Sequence, residues 1–505
     1  MTDAQADTVK RGSSPRRFVR WIAFVVGVVF LGLVAVVVGR TLRFKSRQLR
    51  VDPVRHVTLD PKAVVARLST AIRFRTVSHP DPAQVNGEPF EGLIRHLETS
   101  FPRVHRALRR ERVGEHGLLF TWRGSDPSQR PVLWVAHLDV VPVEAKGSRQ
   151  WTHPPFGGAV VDGFVWGRGT MDDKAQTLAM LEALEHLLGR GFQPRRTLLL
   201  AVGADEEVGG IRGAKRIAAL LKRRGVRPIF ALDEGLVITR GMVPGVRAPV
   251  ALIGVAEKGY LTLELTVRGQ GGHSSMPPKQ TAVGILAAAV TRLEDNPMPA
   301  RLTGAVRLTF EHVGPEMSFW KRLAFANLWL FGALVEKQLA AKPSTNALLR
   351  TTLAPTVIQG SVKENVLAQR ARALVNARIH PQDSVAAVLA HARQVIRDPR
   401  VRVSTGPEPP SEPTPASRVD SVGYRALART IRQVFPGTLV APGLMIAMTD
   451  VRHYRSLCDD LYRFQPLRIT DADRARFHGV DERVSVKSYL EMINFYVQLA
   501  RNANQ

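Results

Sequence analysis

The sequence predicts a two-domain α/β protein: an open sheet covered by helices on both faces, a smaller α+β domain inserted into it, and one hydrophobic helix ahead of both. Three observations carry this. Continuous apolar runs at Val132–Ala136, Thr197–Val202 and Ile229–Leu232 read as parallel strands buried on both faces. Near residue 257 the pattern changes to strict alternation, the mark of a sheet with one wet face. Close to the start, nineteen uncharged residues run from Trp21 to Gly39 between Arg20 and Arg40.

That apolar stretch is long enough to span a bilayer core as a helix. A cleaved signal peptide is the rival, because Arg16, Arg17 and Arg20 resemble its charged start. No small-x-small cleavage site closes the stretch, which favours an uncleaved anchor. Lys10, Arg11, Arg16, Arg17 and Arg20 precede it and Arg40, Arg43, Lys45, Arg47 and Arg50 follow, so the positive-inside rule nearly cancels. Residues 1–50 are accordingly a basic tail with a single-pass anchor, helical over 21–39.

Residues 51–256 form the first part of the large domain. Asp60 to Ile72 is helical, and Leu178, Leu181, Leu184, Leu187 and Leu188 recur at helical spacing before Gly189 and Gly191 end that helix. Residues 257–403 form the smaller domain. Leu261, Leu263, Leu265 and Val267 alternate with polar neighbours; a helix follows through Val283, Leu286, Val290 and Leu293, then a strand over Ala373–Ile379, a helix from Val385 to Ile396 and a short strand at Val401. Within it, Phe319–Leu334 is apolar enough to be a buried helix, a wall for an acyl chain or a membrane-facing surface. Residues 404–417 contain the proline-rich run GPEPPSEPTP, an extended connector, and 418–505 complete the first sheet.

The 505 residues exceed what one hydrophobic core usually serves, and 45% hydrophobic with 23% charged is ordinary globular composition, which excludes a disordered or multi-spanning chain. Lys plus Arg is 71 against 44 Asp plus Glu, a formal charge of +27. Such a balance suits an anionic partner. No nucleic-acid-binding module accompanies it, so no nucleic acid is expected, and the basic residues beside the anchor suit anionic lipid. The single cysteine, Cys458, excludes an internal disulfide.

Acidic and imidazole side chains gather where the strands end. His137-Leu-Asp139 follows the first, Asp205-Glu206-Glu207 the second and Asp233-Glu234 the third, while the turn Gly167-Arg-Gly-Thr-Met-Asp-Asp-Lys174 adds two more carboxylates. Ligands bind at this rim of an open α/β sheet. So many acids converging would repel one another without a cation among them, and the imidazole–carboxylate mixture suits zinc, with cobalt or manganese as substitutes.

Five ordered runs carry a resemblance: Ala136-His-Leu-Asp-Val-Val-Pro142, Gly167–Lys174, Asp205-Glu-Glu-Val-Gly-Gly210, Gly272-His-Ser-Ser275 and Phe477-His-Gly479. With Trp151-Thr-His-Pro-Pro-Phe156 and Ile285-Leu-Ala-Ala-Ala-Val290, they extend in order over roughly residues 60 to 500. The chain resembles the zinc metallopeptidase family of aminoacylase and carboxypeptidase S, within it the branch of carboxypeptidase S and the N-fatty-acyl-amino-acid synthase/hydrolase. The resemblance implies two zinc ions. His137 would bind one and Asp139 would hold its imidazole. Asp172 would bridge both, Glu207 and His478 would complete the second, and Glu234 would complete the first with Asp233 as the neighbouring alternative. Glu206 would be the general base that takes a proton from the attacking water and passes it to the leaving amine. His273 would donate to the oxyanion, often from a partner subunit, so a homodimer through the smaller, lid domain is expected. Arg378 would grip the substrate carboxylate by a two-pronged hydrogen bond, and Asn365 would be the neighbouring polar contact to the substrate.

The implied activity is hydrolysis of the amide joining an acyl or aminoacyl group to an amino acid with a free carboxylate, in an N-acyl amino acid or short peptide, and by microscopic reversibility its formation. The alternative is a catalytically silent binding protein on the same fold, against which the complete ligand set argues. By the same resemblance the catalytic part lies on the non-cytoplasmic side. One departure stands out: relatives carry glycine before the Thr449-Asp450 pair, where this chain has Ala447-Met448.

Overall fold

The computed structural model describes residues 15–144 and 150–504. Lys10 and Arg11, read as part of the basic tail, lie outside the described residues. Helix α1 runs Pro15–Arg43, longer at both ends than the 21–39 expected, because no proline or paired glycine interrupts the arginine-rich flanks. It is long and apolar enough to cross a membrane, and its apolar stretch is almost wholly exposed.

The chain then lays down strands β1 (Arg109–Val113), β2 (Gly117–Trp122) and β3 (Val132–His137), helix α2 (Lys174–Gly189), and strands β4 (Leu198–Gly203), β5 (Phe230–Thr239) and β6 (Val250–Glu257). It leaves to build a second sheet: β7 (Gly259–Arg268), helix α3 (Ala282–Asp295), helices α4 (Gly304–Val313), α5 (Phe319–Ala326) and α6 (Leu328–Ala340), β8 (Thr352–Gln359), β9 (Arg370–Ile379), helix α7 (Val385–Ile396) and β10 (Val401–Thr405). It returns through α8 (Val422–Val434), β11 (Leu439–Met445), β12 (Leu461–Ile469) and α9 (Val486–Asn502). The large sheet has the order β1-β2-β4-β3-β5-β12-β6-β11, and the small one β8-β9-β7-β10. Strands β4, β3, β5 and β12 pair in parallel, so their carboxyl ends share one rim.

Residues of β3 divide by parity. Val132, Trp134 and Ala136 join one core with α2 and α9, whereas Leu133 and Val135 join another with Ile217, Leu221 and Tyr454. With both faces covered, the five residues before His137 are all apolar, which is why the strand reads as an unbroken run up to its end. In the small sheet the alternating Leu261, Leu263, Leu265 and Val267 pack with Ala371, Ala373, Val375 and Ala377 under α3 and α7, a third core. Burying each leucine contributes about 1.5–3 kcal/mol.

Two details depart from expectation. The acids Asp233 and Glu234 do not follow β5 but lie inside it; the register with β12 slips between Arg463 and Phe464, next to Gly235 at φ +133°. A left-handed backbone there requires glycine. Second, residues of α4 and α6, read in the sequence within the smaller unit, join the core of the large sheet through Ala305, Val306, Phe310, Val335 and Leu339. Their inward stripes match the large sheet's edge and not the small sheet, whose helical face α3 and α7 already fill. The proline-rich segment runs beside the domain junction, where Ser411 pairs with Tyr260 and Thr414 N donates to the Glu257 carbonyl (3.1 Å). Cys458 is buried and free.

Candidate metal centre

His137 is the last residue of β3 and is 1% exposed. Its Nε2 lies 3.0 Å from Asp172 Oδ1 and 3.5 Å from Glu234 Oε1, while Nδ1 faces the Asp139 carbonyl oxygen at 3.0 Å and Asp139 Oδ1 at 3.3 Å. His478 Nε2 lies 3.1 Å from Asp172 Oδ2 and 3.2 Å from Glu207 Oε2. Two groups result, His137–Asp172–Glu234 and Asp172–Glu207–His478, in each of which one ligand atom per residue falls within 4.8 Å of the others. Asp172 belongs to both through its two oxygens.

The sequence left Asp233 and Glu234 open, and β5 separates them. Asp233 Oδ1 accepts the Glu234 amide (2.9 Å) and Oδ2 the Val451 amide (2.7 Å), so both of its oxygens are engaged by backbone. Glu234 is the acid that reaches His137. Asp139 does more than hold the imidazole: its oxygens accept the amides of Glu206 (3.0 Å) and Glu207 (3.1 Å), fixing the turn that carries both acids.

Electrostatics agree with a cation site. Burial, reinforced by Asp172, pushes the Glu207 carboxyl up to about 7, and burial together with the Asp172 charge holds Glu234 well above the ordinary range. Burial likewise raises Glu206, with Glu234, Asp450 and Glu207 adding to it. Asp172, although buried, is held below the usual carboxylate range by His137 and His478, and His478 is pushed up to about 10 by its hydrogen bonds to Asp172 and Glu207. Among the described residues, Glu207 Oε1 is buried without a hydrogen-bond partner. Mutually repelling carboxylates, two imidazoles and an orphaned buried oxygen form a donor set that fits divalent metal.

Reasoning from the sequence missed the residues that hold this centre together. Glu482, fully buried, accepts the amides of Gly169 (2.9 Å), Met171 (2.7 Å) and Asp172 (3.2 Å) and pairs with Arg168 Nη1 at 2.5 Å. Arg168 Nη2 in turn donates to the carbonyls of His478 (3.1 Å) and Gly479 (3.0 Å). One ion pair therefore ties the Asp172 turn to the His478 turn across some 310 residues of chain. The only local signal was Arg168 inside the Gly167–Lys174 run, whose partner no spacing rule could name. His478 itself sits at φ +58°, and a Cβ at Gly479 would lie 1.9 Å from the Ala475 carbonyl oxygen, so only glycine fits after it.

The remaining predicted residues are on the small sheet and the short strand pairing beside it. His273 is exposed, with Nδ1 2.8 Å from Ser275 Oγ, in a two-residue strand pairing Gly272–His273 with Val366–Leu367. That pairing brings Asn365 beside it, its carbonyl accepting the Ser274 amide (3.1 Å). Arg378 lies in β9 with its guanidinium 5.2 Å from the Tyr260 ring centre. Among the described residues no hydrogen bond or ion pair joins His273, Asn365 or Arg378 to the carboxylates. Thr449, after the departing Ala447-Met448 pair, donates to Glu257 Oε2 (3.0 Å), and the neighbouring Asp450 carboxylate is buried against Gly203 and Gly210.

Residues 133–502 match peptidase family M20/M25/M40. The chain is 38% identical over 504 residues to the probable carboxypeptidase S-like 2 of Dictyostelium discoideum, covering 98% of this chain and 96% of that one. It is 41% identical over 486 residues to an N-fatty-acyl-amino acid synthase/hydrolase of Danio rerio, covering 94% and 93%. An M20 family metallo-carboxypeptidase from Sulfolobus solfataricus shares the fold, with a TM-score of 0.62 at 18% identity over 87% of this chain and 99% of the other. By its rim of carboxylates and imidazoles and by this likeness along almost its whole length, the chain belongs to peptidase family M20/M25/M40 and is a metal-dependent hydrolase.

Proposed function

We propose that the protein is a membrane-anchored dinuclear zinc amidohydrolase that cleaves the amide between an acyl or aminoacyl group and an amino acid bearing a free carboxylate, and that condenses the same pair when both are abundant. The observation that carries the reading is the pair of His/carboxylate groups sharing Asp172, with Glu206 beside them. His137, Asp172 and Glu234 would hold one ion and Asp172, Glu207 and His478 the other. Zinc at these positions supplies Lewis acidity toward the scissile carbonyl and lowers the pKa of water.

The protein's own groups do the rest. Asp139 faces the His137 Nδ1 with both its carbonyl oxygen and its carboxylate Oδ1, and Oδ1 also accepts the Glu206 amide, so the general base is positioned by the same residue that orients a ligand. Glu206, pushed up by burial, is poised to accept a proton from the attacking water and return it to the leaving nitrogen. Arg378 grips the product-side carboxylate, with Asn365 as a polar neighbour. His273, exposed and making no hydrogen bond to the acids among the described residues, donates to the oxyanion of a partner subunit's substrate, which makes the homodimer through the small sheet the active form. With α1 as anchor, the body lies on the non-cytoplasmic face.

Glu206→Ala tests the assignment: two metal equivalents are retained and turnover falls by about 10²–10⁴, the range for a general base. An active variant would sink it. A panel of N-fatty-acyl amino acids and dipeptides, read with and without chelator, identifies the substrate; no chelator-sensitive cleavage of any member would favour the silent binding protein.

A further inference from the structure

The C-terminal end of α1 is clasped by the turn between α5 and α6. Asn327, fully buried, donates from Nδ2 to the Val37 carbonyl (3.1 Å) and the Thr41 hydroxyl (3.2 Å), and Arg40 Nε donates to the Ala326 carbonyl (3.4 Å). Val37 and Thr41 are buried by this contact on a helix that is otherwise exposed. Val37 lies two residues before Gly39, the last of the uncharged stretch, which is about 3 Å along a helix axis. The turn between α5 and α6 is therefore fixed at the level where hydrocarbon would give way to headgroups.

On these two helices large apolar side chains face away from the body. Trp320 is 76% exposed, Leu334 56%, Trp329 55%, Phe319 49% and Leu330 43%. Helix α6 shows that this is a face and not scattered exposure. Its inward stripe, Leu328, Phe331, Val335 and Leu339, packs on the large core. Its outward side is apolar at Trp329, Leu330 and Leu334, in the half that starts from the Asn327 contact with α1, and polar at exposed Lys337 and Gln338 in the half that follows; half-buried Glu336 lines a cavity with Arg40, Phe44 and Arg47. On the exposed side of α6 the boundary falls with distance along the helix from the Asn327 contact, as depth in a bilayer would set it. Arg43 and Lys45 are exposed where α1 ends and Lys321 is exposed beside Trp320 on α5, while Arg47 pairs with Glu311 (3.1 Å). Tryptophan bordered by basic residues is the composition of interfacial helices.

We propose that Phe319, Trp320, Trp329, Leu330 and Leu334 insert into the interface of the same bilayer that α1 crosses, so that the catalytic body is seated on an anionic phospholipid surface and not merely tethered to it. The proposal rests on α1 being a membrane anchor. Its occupant is lipid because the patch is continuous with the emergence of α1 and turns polar away from it, a gradient that a soluble partner would not require.

The test uses the full chain in phosphatidylcholine vesicles containing phosphatidylglycerol, with a spin label on one introduced cysteine at a time: Trp320→Cys, Leu334→Cys, Lys337→Cys and Val29→Cys. Collision rates with oxygen and with a water-soluble nickel chelate report lipid and water exposure. Labels at 320 and 334 are expected to give an oxygen-to-nickel ratio several-fold above that at 337, and the label at 29 a higher ratio still. A lipid-buried label at 29 with water-like labels at 320 and 334 overturns the proposal while leaving the anchor intact. Labels at 320 and 334 shielded from both reagents mean that protein, such as a second copy, covers the face, and overturn it too. A water-like label at 29 removes the anchor, and the proposal with it.

Discussion

Replacing Glu482 by glutamine isolates what the Arg168–Glu482 pair does. The carboxylate accepts three backbone amides and one guanidinium N–H, and both partners are buried, Arg168 at 3% exposure and Glu482 at 0%. Glutamine keeps one acceptor oxygen but turns an NH2 toward donors and leaves Arg168 as an uncompensated buried charge. Breaking such a pair costs about 3–5 kcal/mol. That is survivable for a protein of ordinary stability, roughly 5–15 kcal/mol. Arg168 also holds the His478 and Gly479 carbonyls, so the Asp172 and His478 turns loosen together, and metal affinity is expected to fall about 10–100-fold, as on loss of an outer partner. Denaturant unfolding gives the first number and competition with a chelator the second. The double variant Arg168→Met/Glu482→Gln, which leaves no lone charge, should be less destabilised than the two single losses added together, with a coupling of about 0.5–3 kcal/mol. If Glu482→Gln changes neither stability nor metal retention, the clamp has no role in holding the centre.

Other expectations follow from single contacts. Arg378→Met should lower kcat/KM about 10–150-fold for substrates with a free carboxylate, the worth of a hydrogen bond to a charged group; equal losses on the carboxamide analogues would show that it does not read the carboxylate. Gly479→Ala, whose Cβ would collide with the Ala475 carbonyl, should cost about 1–3 kcal/mol as overpacking does and reduce metal stoichiometry, checked by thermal unfolding and metal analysis. Lys258 is buried at the domain junction, where desolvation and the neighbouring Arg378 push its amine down to about 7. Between that value and the free-lysine range near 10.4 the unfolded chain holds a proton that the folded chain has released, so stability from this group rises with pH across the window. Lys258→Met should remove about one proton from the slope of stability against pH there; an unchanged slope would show that the amine stays protonated in the fold.

Periodicity determined much of this protein. Apolar runs located β3 and β4 and alternation located β7, because burial on both faces or on one leaves a different period in a strand; α2, buried nearly all round, was located by leucines at helical spacing and the glycines that end it. The resemblance carried by motif order along the chain implied His137, Asp172, Glu207 and His478 as metal ligands, and these are among the side chains the fold brings together. Packing between distant segments was not legible. Whether Asp233 or Glu234 faces His137 depends on a register slip beside Gly235, set by pairing with a strand more than two hundred residues later. Arg168 finds Glu482, and α4 and α6 choose the large sheet over the small one, through contacts that no local pattern records. The amino-acid order fixes which side chains can bind metal and which must be buried. Tertiary structure alone decides which of them meet, because meeting depends on distances that neighbours in the chain do not control.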